Sequence, residues 1–344
     1  RNMSRIVIAL AITVVLLSSA VLGCGKGSAP PPSGGGSGAP AQTPLKLKSA
    51  DVVAITSPYT TGMNKFAKLM AERTGDRVQI THFPAGQLGN DAAIIEGIKL
   101  GTIDIGMVGT VSSKITDALY LPFLFEDSDH MWKVLNGDIG EQLKKRFEQE
   151  IGIKLVGYAY YAPRVLTTKN TPVKTPKDLK GLKIRVPLIP PMVSTWKALG
   201  ASPTPLAFTE LFTAMQQGTV DAQENPLEII YNNSFFEVQK YLIETNHALP
   251  VRFLVMNGKA WDKLSPDEQK TFMKTFQEVA ASIESDYKAN EEKWRSALKE
   301  KGMTFVQPDV AAFREATRDI WKEFAPAAWG DGVYEKIQAL RKNK

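Results

Sequence analysis

The chain has 344 residues, 43% of them apolar and 23% charged, and carries 42 Lys and Arg against 36 Asp and Glu for a net charge of +6; this is ordinary globular composition with room for two domains, not that of a disordered chain. The charges alternate in sign, as in Glu291-Glu292-Lys293 and Lys299-Glu300-Lys301, so the basic excess makes no clustered footprint for nucleic acid. A single cysteine, Cys24, excludes an intrachain disulfide, a CxxC redox pair and a cysteine zinc cluster; His82, His130 and His247 are far apart without HExxH-type pairing, so no metal or cofactor is expected and each His reads as a surface or partly buried polar residue.

Residues 1–24 read as a signal sequence. Arg1 and Arg5 supply its positive start, Ile6 to Leu17 an apolar run interrupted only by Thr13, and Ser18, Ser19 and Ala20 its small residues. The run is short for a bilayer span, although a membrane anchor over Ile6 to Leu22 is the rival reading. Val21-Leu22-Gly23-Cys24 resembles a bacterial lipobox, which implies cleavage before Cys24 and its lipidation. Two or three acyl chains, each contributing about 0.8 kcal/mol per buried CH₂, hold a protein firmly on a membrane. Residues 25–44, rich in Gly, Pro and Ser, read as a tether.

Strand-like and helix-like segments then alternate. Val52 to Thr56 is a β run; a helix capped by Thr60 or Thr61 runs from about Gly62 to Thr74; Arg77 to Phe83 alternates as a strand. Asn90-Asp91 opens a helix through Leu100 that stops at Gly101, and Asp104 to Val108 is the next strand. This β-α-β-α-β order is that of an open α/β sheet. Asp127 to Ile151 holds a helical pair divided at Gly137 and Gly140, and Lys154 to Tyr161 is a strand. The pattern restarts with a helical turn at Pro176 to Leu179, a strand at Leu182 to Val186, a helix from Met192 to Leu199, a helix from Thr209 to Gln217, and strands at Val220 to Gln223 and Arg252 to Asn257. Ser265-Pro266-Asp267-Glu268 is a strong helix start, joining a cap, a Pro at the first position and early acids. The helix it opens reaches Gly302, a length that predicts a kink or a bridge between two bodies.

Six segments in order now carry a resemblance: FPAGQLGND (Phe83 to Asp91), IIEGIKLGTIDIG (Ile94 to Gly106), LPFLFED (Leu121 to Asp127), TPKDLKGLKIRVP (Thr175 to Pro187), ALGASPTPLAFTELFTAMQQGTVDAQENPL (Ala198 to Leu227) and VMNGKAWDKLSPDEQ (Val255 to Gln269). Through them the chain resembles the DctP-like solute-binding proteins of TRAP (tripartite ATP-independent periplasmic) transporters, from about Lys46 to Leu340. The resemblance implies an α/β, two-lobed periplasmic-binding fold with an interdomain cleft and a long bridging helix. Lobe one is expected at 45–162 plus 251–290 and lobe two at 163–250 plus 291–344. It also implies that the protein captures a small organic acid in the periplasm and delivers it to a small and a large membrane subunit, catalysing nothing itself. A sensor built on the same fold is the alternative. A secreted hydrolase is disfavoured, because Gly109-Thr110-Val111-Ser112 is not a GxSxG elbow and no His lies near it in sequence.

Pattern alone places Arg185, in LKIRV, opposite Leu182, Ile184 and Val186, where a solvated arginine is one reading. The other is a carboxylate clamp, since a guanidinium presents paired donors that match a carboxylate. The resemblance assigns Arg185 to the ligand carboxylate, Asn225 of QENPL to a ligand contact, Phe208 to an aromatic wall, and Arg164 to an approach from the lobe junction. Asn225 before Pro226 also reads as a turn, Phe208 as core beside Leu211 and Phe212, and Arg164 as half of a surface ion pair. Asp91 is a helix cap or first-turn acid that some relatives use as a polar ligand contact. Tyr59, Tyr231 and Trp196 complete the aromatic candidates. The loop Val108 to Ser112 lacks the Glu and Arg of sialic-acid binders, which points to a smaller or less polar acid: a 2-oxo, hydroxy or aromatic carboxylate. Arg185 alone suits one carboxylate, and Arg185 with Arg164 a dicarboxylate.

Overall fold

The computed structural model describes residues 43–342. The signal sequence, its lipidation at Cys24 and all but the last two residues of the tether lie outside the described residues.

The chain builds β1 (Leu45–Ala50), β2 (Val78–Phe83), β3 (Ile105–Val108) and β4 (Lys154–Tyr160), then β5 (Val165–Thr168), β6 (Lys183–Val186), β7 (Ser202–Pro205), β8 (Ala222–Asn225) and β9 (Tyr241–Ile243), and finally β10 (Val251–Met256) and β11 (Thr304–Val306). They form a five-stranded sheet, β2-β1-β3-β10-β4, and a six-stranded sheet, β11-β9-β5-β8-β6-β7. In the first, β2, β1 and β3 run parallel and β10 lies antiparallel between β3 and β4. In the second, β7, β6 and β8 run parallel, and β5 is antiparallel to both β8 and β9.

The chain passes between the sheets three times. Residues 161–164 lead from β4 to β5, residues 244–250 from β9 to β10, and the helix Pro266–Glu300 precedes β11. The first two passages are joined where the Arg164 N–H donates to the Ala248 carbonyl at 2.9 Å. The 35-residue helix is one continuous element of about 52 Å at ~1.5 Å per residue. Its start is a capping box, in which Ser265 N–H donates to Glu268 Oε2 at 2.7 Å and Ser265 Oγ accepts from Glu268 N–H at 3.3 Å. Phe272, Phe276, Val279, Ile283, Tyr287, Trp294 and Leu298 are buried along it. It packs on the helix Pro58–Arg73 and on β4 from the first sheet, and on the helix Leu227–Asn232 that comes after β8 of the second. The bridging reading therefore holds.

Several expectations are corrected. Val52 to Thr56 is not a strand; the strand is β1, just before it, and Val52 and Val53 lie in the turn beyond its end. The first helix starts at Pro58, because Ser57 caps it and Pro58 occupies the first turn, where its missing N–H costs nothing. Gly140 does not divide the helical pair. It lies inside the helix Asp138–Ile151, where a Cβ would fall 1.9 Å from the Leu135 carbonyl oxygen, so glycine permits the tight corner there. His130 and His247 are fully buried and His82 is partly buried, as one of the two readings had it: His82 joins Ser49 and Asp51, His130 reaches the Ile337 carbonyl, and His247 joins Thr245 and Glu224. Helices Trp321–Trp329 and Val333–Ala339 pack back on the segment after β3, with Trp329 Nε1 donating to the Ile115 carbonyl at 3.0 Å.

Candidate functional site

Parallel strands end together, and the segments beyond their ends converge. In open α/β sheets the crevice beyond the carboxyl ends of the strands is where ligands bind. Here Val52 and Val53 come after β1, Gly109 to Ser112 after β3, Pro187 and Leu188 after β6, and Leu206 to Phe208 after β7, while Asn225 ends β8; residues of all five segments line one cavity of about 50 Å³. Asn90, Asp91, Tyr120, Tyr161, Arg164, Arg185 and Arg252 are also in its wall.

Arg185 is the second-last residue of β6 and is 2% exposed. The solvated reading therefore fails: the side chain is buried in the cavity wall. Its Nε and Nη2 both donate to the Leu206 carbonyl, at 3.0 and 2.7 Å. Among the described residues no carboxylate lies within ion-pair distance of it. Burial pushes its pKa down to about 10, and the charge of Glu224 offsets only part of this. A buried cation without a counter-ion is costly, and a guanidinium matches an anion with paired donors.

Arg164 is buried too, but it is occupied. Its Nε and Nη2 donate to the two carboxylate oxygens of Glu224, with Nη2 to Oε1 at 2.9 Å. Nη2 also reaches the Glu224 carbonyl at 2.7 Å and Asn225 Oδ1 at 3.1 Å. His247 Nε2 lies 3.2 Å from Glu224 Oε2. Burial works against the charge of Glu224, but Arg164 and the hydrogen bonds from His247 and Arg164 outweigh it and hold the carboxylate below its ordinary range. The surface-pair alternative for Arg164 fails with its burial.

Asn225 is fixed from three sides. Its Oδ1 accepts from the Tyr161 hydroxyl at 3.2 Å and from Arg164, and its Nδ2 donates to Gln223 Oε1 at 2.7 Å. Phe208 stands half-buried at the cavity wall, tilted against Phe235 with ring centres 6.3 Å apart.

Asp91 is not the cap of its helix. Asn90 is, accepting from Ala93 N–H at 3.0 Å, which leaves Asp91 at the first helical position facing the cavity. Its Oδ2 accepts from the Thr110 N–H at 3.1 Å and the Thr110 hydroxyl at 3.0 Å, while Oδ1 is buried with no hydrogen-bond partner among the described residues. Burial raises its pKa, and nearby Arg252 and the donors of Thr110 oppose that rise.

Tyr59 lies behind the wall: its hydroxyl donates to the Tyr160 carbonyl at 3.0 Å, and its ring supports Arg252 at 5.0 Å and meets Tyr161 edge-on. Tyr231 lies outside the cavity lining, against Phe236. Trp196 is core, edge-on to His247.

Sequence reasoning missed Arg252, Tyr120 and Tyr161. Arg252 is 2% exposed on β10, donates Nη2 to the Met107 carbonyl at 2.6 Å, and has a buried Nε with no hydrogen-bond partner among the described residues. Its signal was present: an arginine inside the otherwise apolar run Val251 to Met256 is a local anomaly, since arginine is rarely buried. Among the described residues no group of three His, Cys, Asp or Glu is placed to hold a metal ion, and no helix is long and apolar enough to cross a membrane.

Two α/β halves joined by three passages, with a buried cationic cavity at their strand ends, define a two-lobed solute-binding protein. The sequence matches the DctP family, bacterial extracellular solute-binding protein family 7, over residues 49–327, and the chain belongs to it. Members of this family serve TRAP transporters by binding small organic acids outside the cytoplasm, and they are not enzymes. The chain is 37% identical over 261 residues to a solute-binding protein of Roseobacter denitrificans, covering 74% of this chain and 79% of that one. It is 36% identical over 271 residues to the 2,3-diketo-L-gulonate-binding periplasmic protein YiaO of Escherichia coli K12, covering 76% and 82%. A TRAP periplasmic solute-binding protein of Polaromonas sp. JS666, solved bound to D-erythronate, superposes with a TM-score of 0.82 at 32% identity, over 87% of this chain and 100% of that one.

Proposed function

We propose that the protein captures a small organic acid in the cavity between its two sheets, with the carboxylate on Arg185, and presents the closed, liganded form to the two membrane subunits of its transporter. The observation that carries this is the buried Arg185 guanidinium, held by one backbone carbonyl and lacking a carboxylate partner among the described residues. Asn225 orients the ligand, Phe208 packs on it, and Asp91 contacts its polar end. Arg164 approaches from the lobe junction, with Nε and Nη2 engaged by Glu224. Of Arg164 and Arg185, Arg185 is the one without a carboxylate partner among the described residues and takes the ligand carboxylate. The small cavity favours a short acid.

The lobes are proposed as 45–162 plus 251–290 and 163–250 plus 291–344, a division supported for the strands by the sheet to which each belongs, while the helices Trp321–Trp329 and Val333–Ala339 lie against lobe one. Cys24 is proposed as the lipidated residue that holds the protein to a membrane in the periplasm, with 25–44 as its tether.

The test is a thermal-shift screen of residues 25–344 against organic acids and their uncharged amides or alcohols. A ligand that binds only the folded state stabilises it by RT ln(1 + [L]/Kd), about 2.7 kcal/mol at a hundredfold excess over Kd. At least one carboxylate is expected to raise the melting temperature while its amide does not. A panel in which no acid does so overturns the reading.

A further inference from the structure

Another cavity, of about 180 Å³, shares no residue with the one at the strand ends. Its lining holds three arginines, Arg314, Arg318 and Arg341, and no Asp or Glu. Both halves of the molecule contribute to it. Arg314 is on the helix Val310–Ala316, which follows β11 of the second sheet and packs on the helical turn Pro176–Leu179 before β6. Arg341 follows the helix Val333–Ala339 and is tied to the segment between β3 and β4: its Nη2 donates to the Phe123 carbonyl at 2.7 Å and to the Leu124 carbonyl at 3.4 Å.

Arg318 is already paired, with Glu315 at 2.5 Å and Asp319 at 3.5 Å. Arg314 and Arg341 are not. Among the described residues neither has a carboxylate within ion-pair distance, and Arg314 makes no hydrogen bond. What Arg314 meets is the ring of Phe123, with the guanidinium 4.3 Å from its centre. Arg341 Nε is buried with no hydrogen-bond partner among the described residues. Phe123 serves both arginines. Its backbone is left-handed, at φ 52°, which a bulky residue ordinarily avoids; its ring faces Arg314 and its carbonyl accepts from Arg341. Partial burial and then the charge of Arg341 lower the pKa of Arg314, against the opposing influence of Tyr334 and Glu126, so the two guanidiniums repel each other across the cavity. Tyr334, stacked face to face on Trp321 with ring centres 4.2 Å apart, adds to the lining a hydroxyl with no hydrogen-bond partner among the described residues.

Two repelling cations in a cavity without acids are relieved by one anion that reaches both. A phosphate group carries about −1.5 to −2 charges at neutral pH and three acceptor oxygens around one atom, which suits two guanidiniums presented by different elements. A carboxylate brings a single charge with both oxygens in one plane. The geometry points to a phosphate-binding site between Arg314 and Arg341, apart from the acid cavity, where one phosphate group bridges the helix after β11 to the segment before β4. The same chemistry is offered by soluble phosphates and by the exposed headgroup of an anionic lipid. The site stands independently of the acid-binding reading above.

The experiment is calorimetry on the intact chain at low salt, since exposed charges are screened as salt rises. Inorganic phosphate and glycerol 3-phosphate are titrated against chloride at matched ionic strength. Arg314→Gln is expected to weaken phosphate binding about tenfold or more, and Arg314→Lys, which keeps the charge without the fork, to fall between it and the parent. Arg185→Ala is expected to bind phosphate as the parent does, which separates this site from the acid cavity. Urea unfolding of each variant establishes that it is folded. In a second arm, flotation with vesicles of phosphatidic acid in phosphatidylcholine is compared with phosphatidylcholine alone, and the parent with Arg314→Gln, so that any binding through the N-terminal segment cancels. Arg314-dependent binding of the soluble phosphates, or an Arg314-dependent difference confined to the phosphatidic acid vesicles, bears the site out and names its source. Phosphate binding that Arg185→Ala abolishes, that Arg314→Gln leaves unchanged in both arms, or that is absent from both, overturns it while leaving the acid-binding reading in place.

Discussion

Arg164 and Glu224 form a buried, two-point ion pair across the β5–β8 edge, and the same arginine is tied by its backbone to Ala248 in the second passage between the sheets. One side chain thus joins the first passage, the end of β8 and, through Glu224, His247. Its position at the junction explains why it lines the cavity while its Nε and Nη2 are held by Glu224 and Asn225.

Removing one partner of this pair exposes its cost. Glu224→Gln keeps the volume but leaves Arg164 charged and buried, which costs about 3–5 kcal/mol. The urea midpoint of the ligand-free protein is expected to fall with the slope of the transition unchanged. Changing both partners to apolar residues, Arg164→Met with Glu224→Leu, is expected to recover part of the loss, because no uncompensated charge remains. A single variant as stable as the parent would show that the pair is open to solvent in the free protein.

Arg185 behaves differently because its partner is the ligand. Arg185→Ala is expected to weaken acid binding by about 2–5 kcal/mol, as a buried carboxylate is left without its cation. Arg185→Lys keeps the charge but loses the planar fork that holds both Leu206 and a carboxylate, so it should fall between the parent and the alanine variant. Calorimetry with the best acid from the thermal screen measures both. Unchanged affinity in the alanine variant would remove Arg185 from the site.

How much of the fold and site is legible in the sequence depends on the range of the interaction. The helix opened by Ser265-Pro266-Asp267-Glu268 is readable because cap, proline and acids act within one turn, and the helix at Asp91–Leu100 is readable for the same reason. β1 is masked in favour of Val52 to Thr56 because Lys46 and Lys48 dilute its hydropathy. Its strand conformation comes from pairing with β2 and β3 on either side, which no local window contains. In the site, Arg185 and Asn225 enter through motif resemblance. Arg252 does not, although an arginine in a buried strand is a local anomaly. The partners Arg164 and Glu224 are 60 residues apart, and only the fold brings them together.

Glu228 supplies a pH dependence whose sign is opposite to that of Glu224. It sits at the start of the helix Leu227–Asn232, under the long helix, fully buried. Burial pushes its carboxyl up to about 7, and hydrogen bonds from Asn232 (2.7 Å) and Ser57 and the charge of Arg252 offset only part of this, while Asp51 adds to the rise. Tyr59 and Tyr287 face it from the two neighbouring helices and are themselves neutral, their hydroxyl pKa values raised well above normal by burial first and by Glu228 second. Between the ordinary glutamate value near 4.5 and about 7 the folded protein holds a proton that the unfolded chain has released. Below that window both states are protonated and no stability is lost. As pH rises through it, folding loses up to about 1.4 kcal/mol per pH unit, and above it the loss is complete. Glu224, held below its ordinary value, instead contributes stability above pH 4.5 that is lost as pH falls further. Glu228→Gln mimics the protonated carboxyl at every pH. It is expected to match the parent at pH 4 and to exceed it by about 1–3 kcal/mol at pH 8, read from urea unfolding at both values. Asp117, also pushed up to about 7 by burial, titrates identically in both proteins and cancels from the difference. A stability difference that does not grow with pH would mean that Glu228 ionises in the folded state as an ordinary glutamate does.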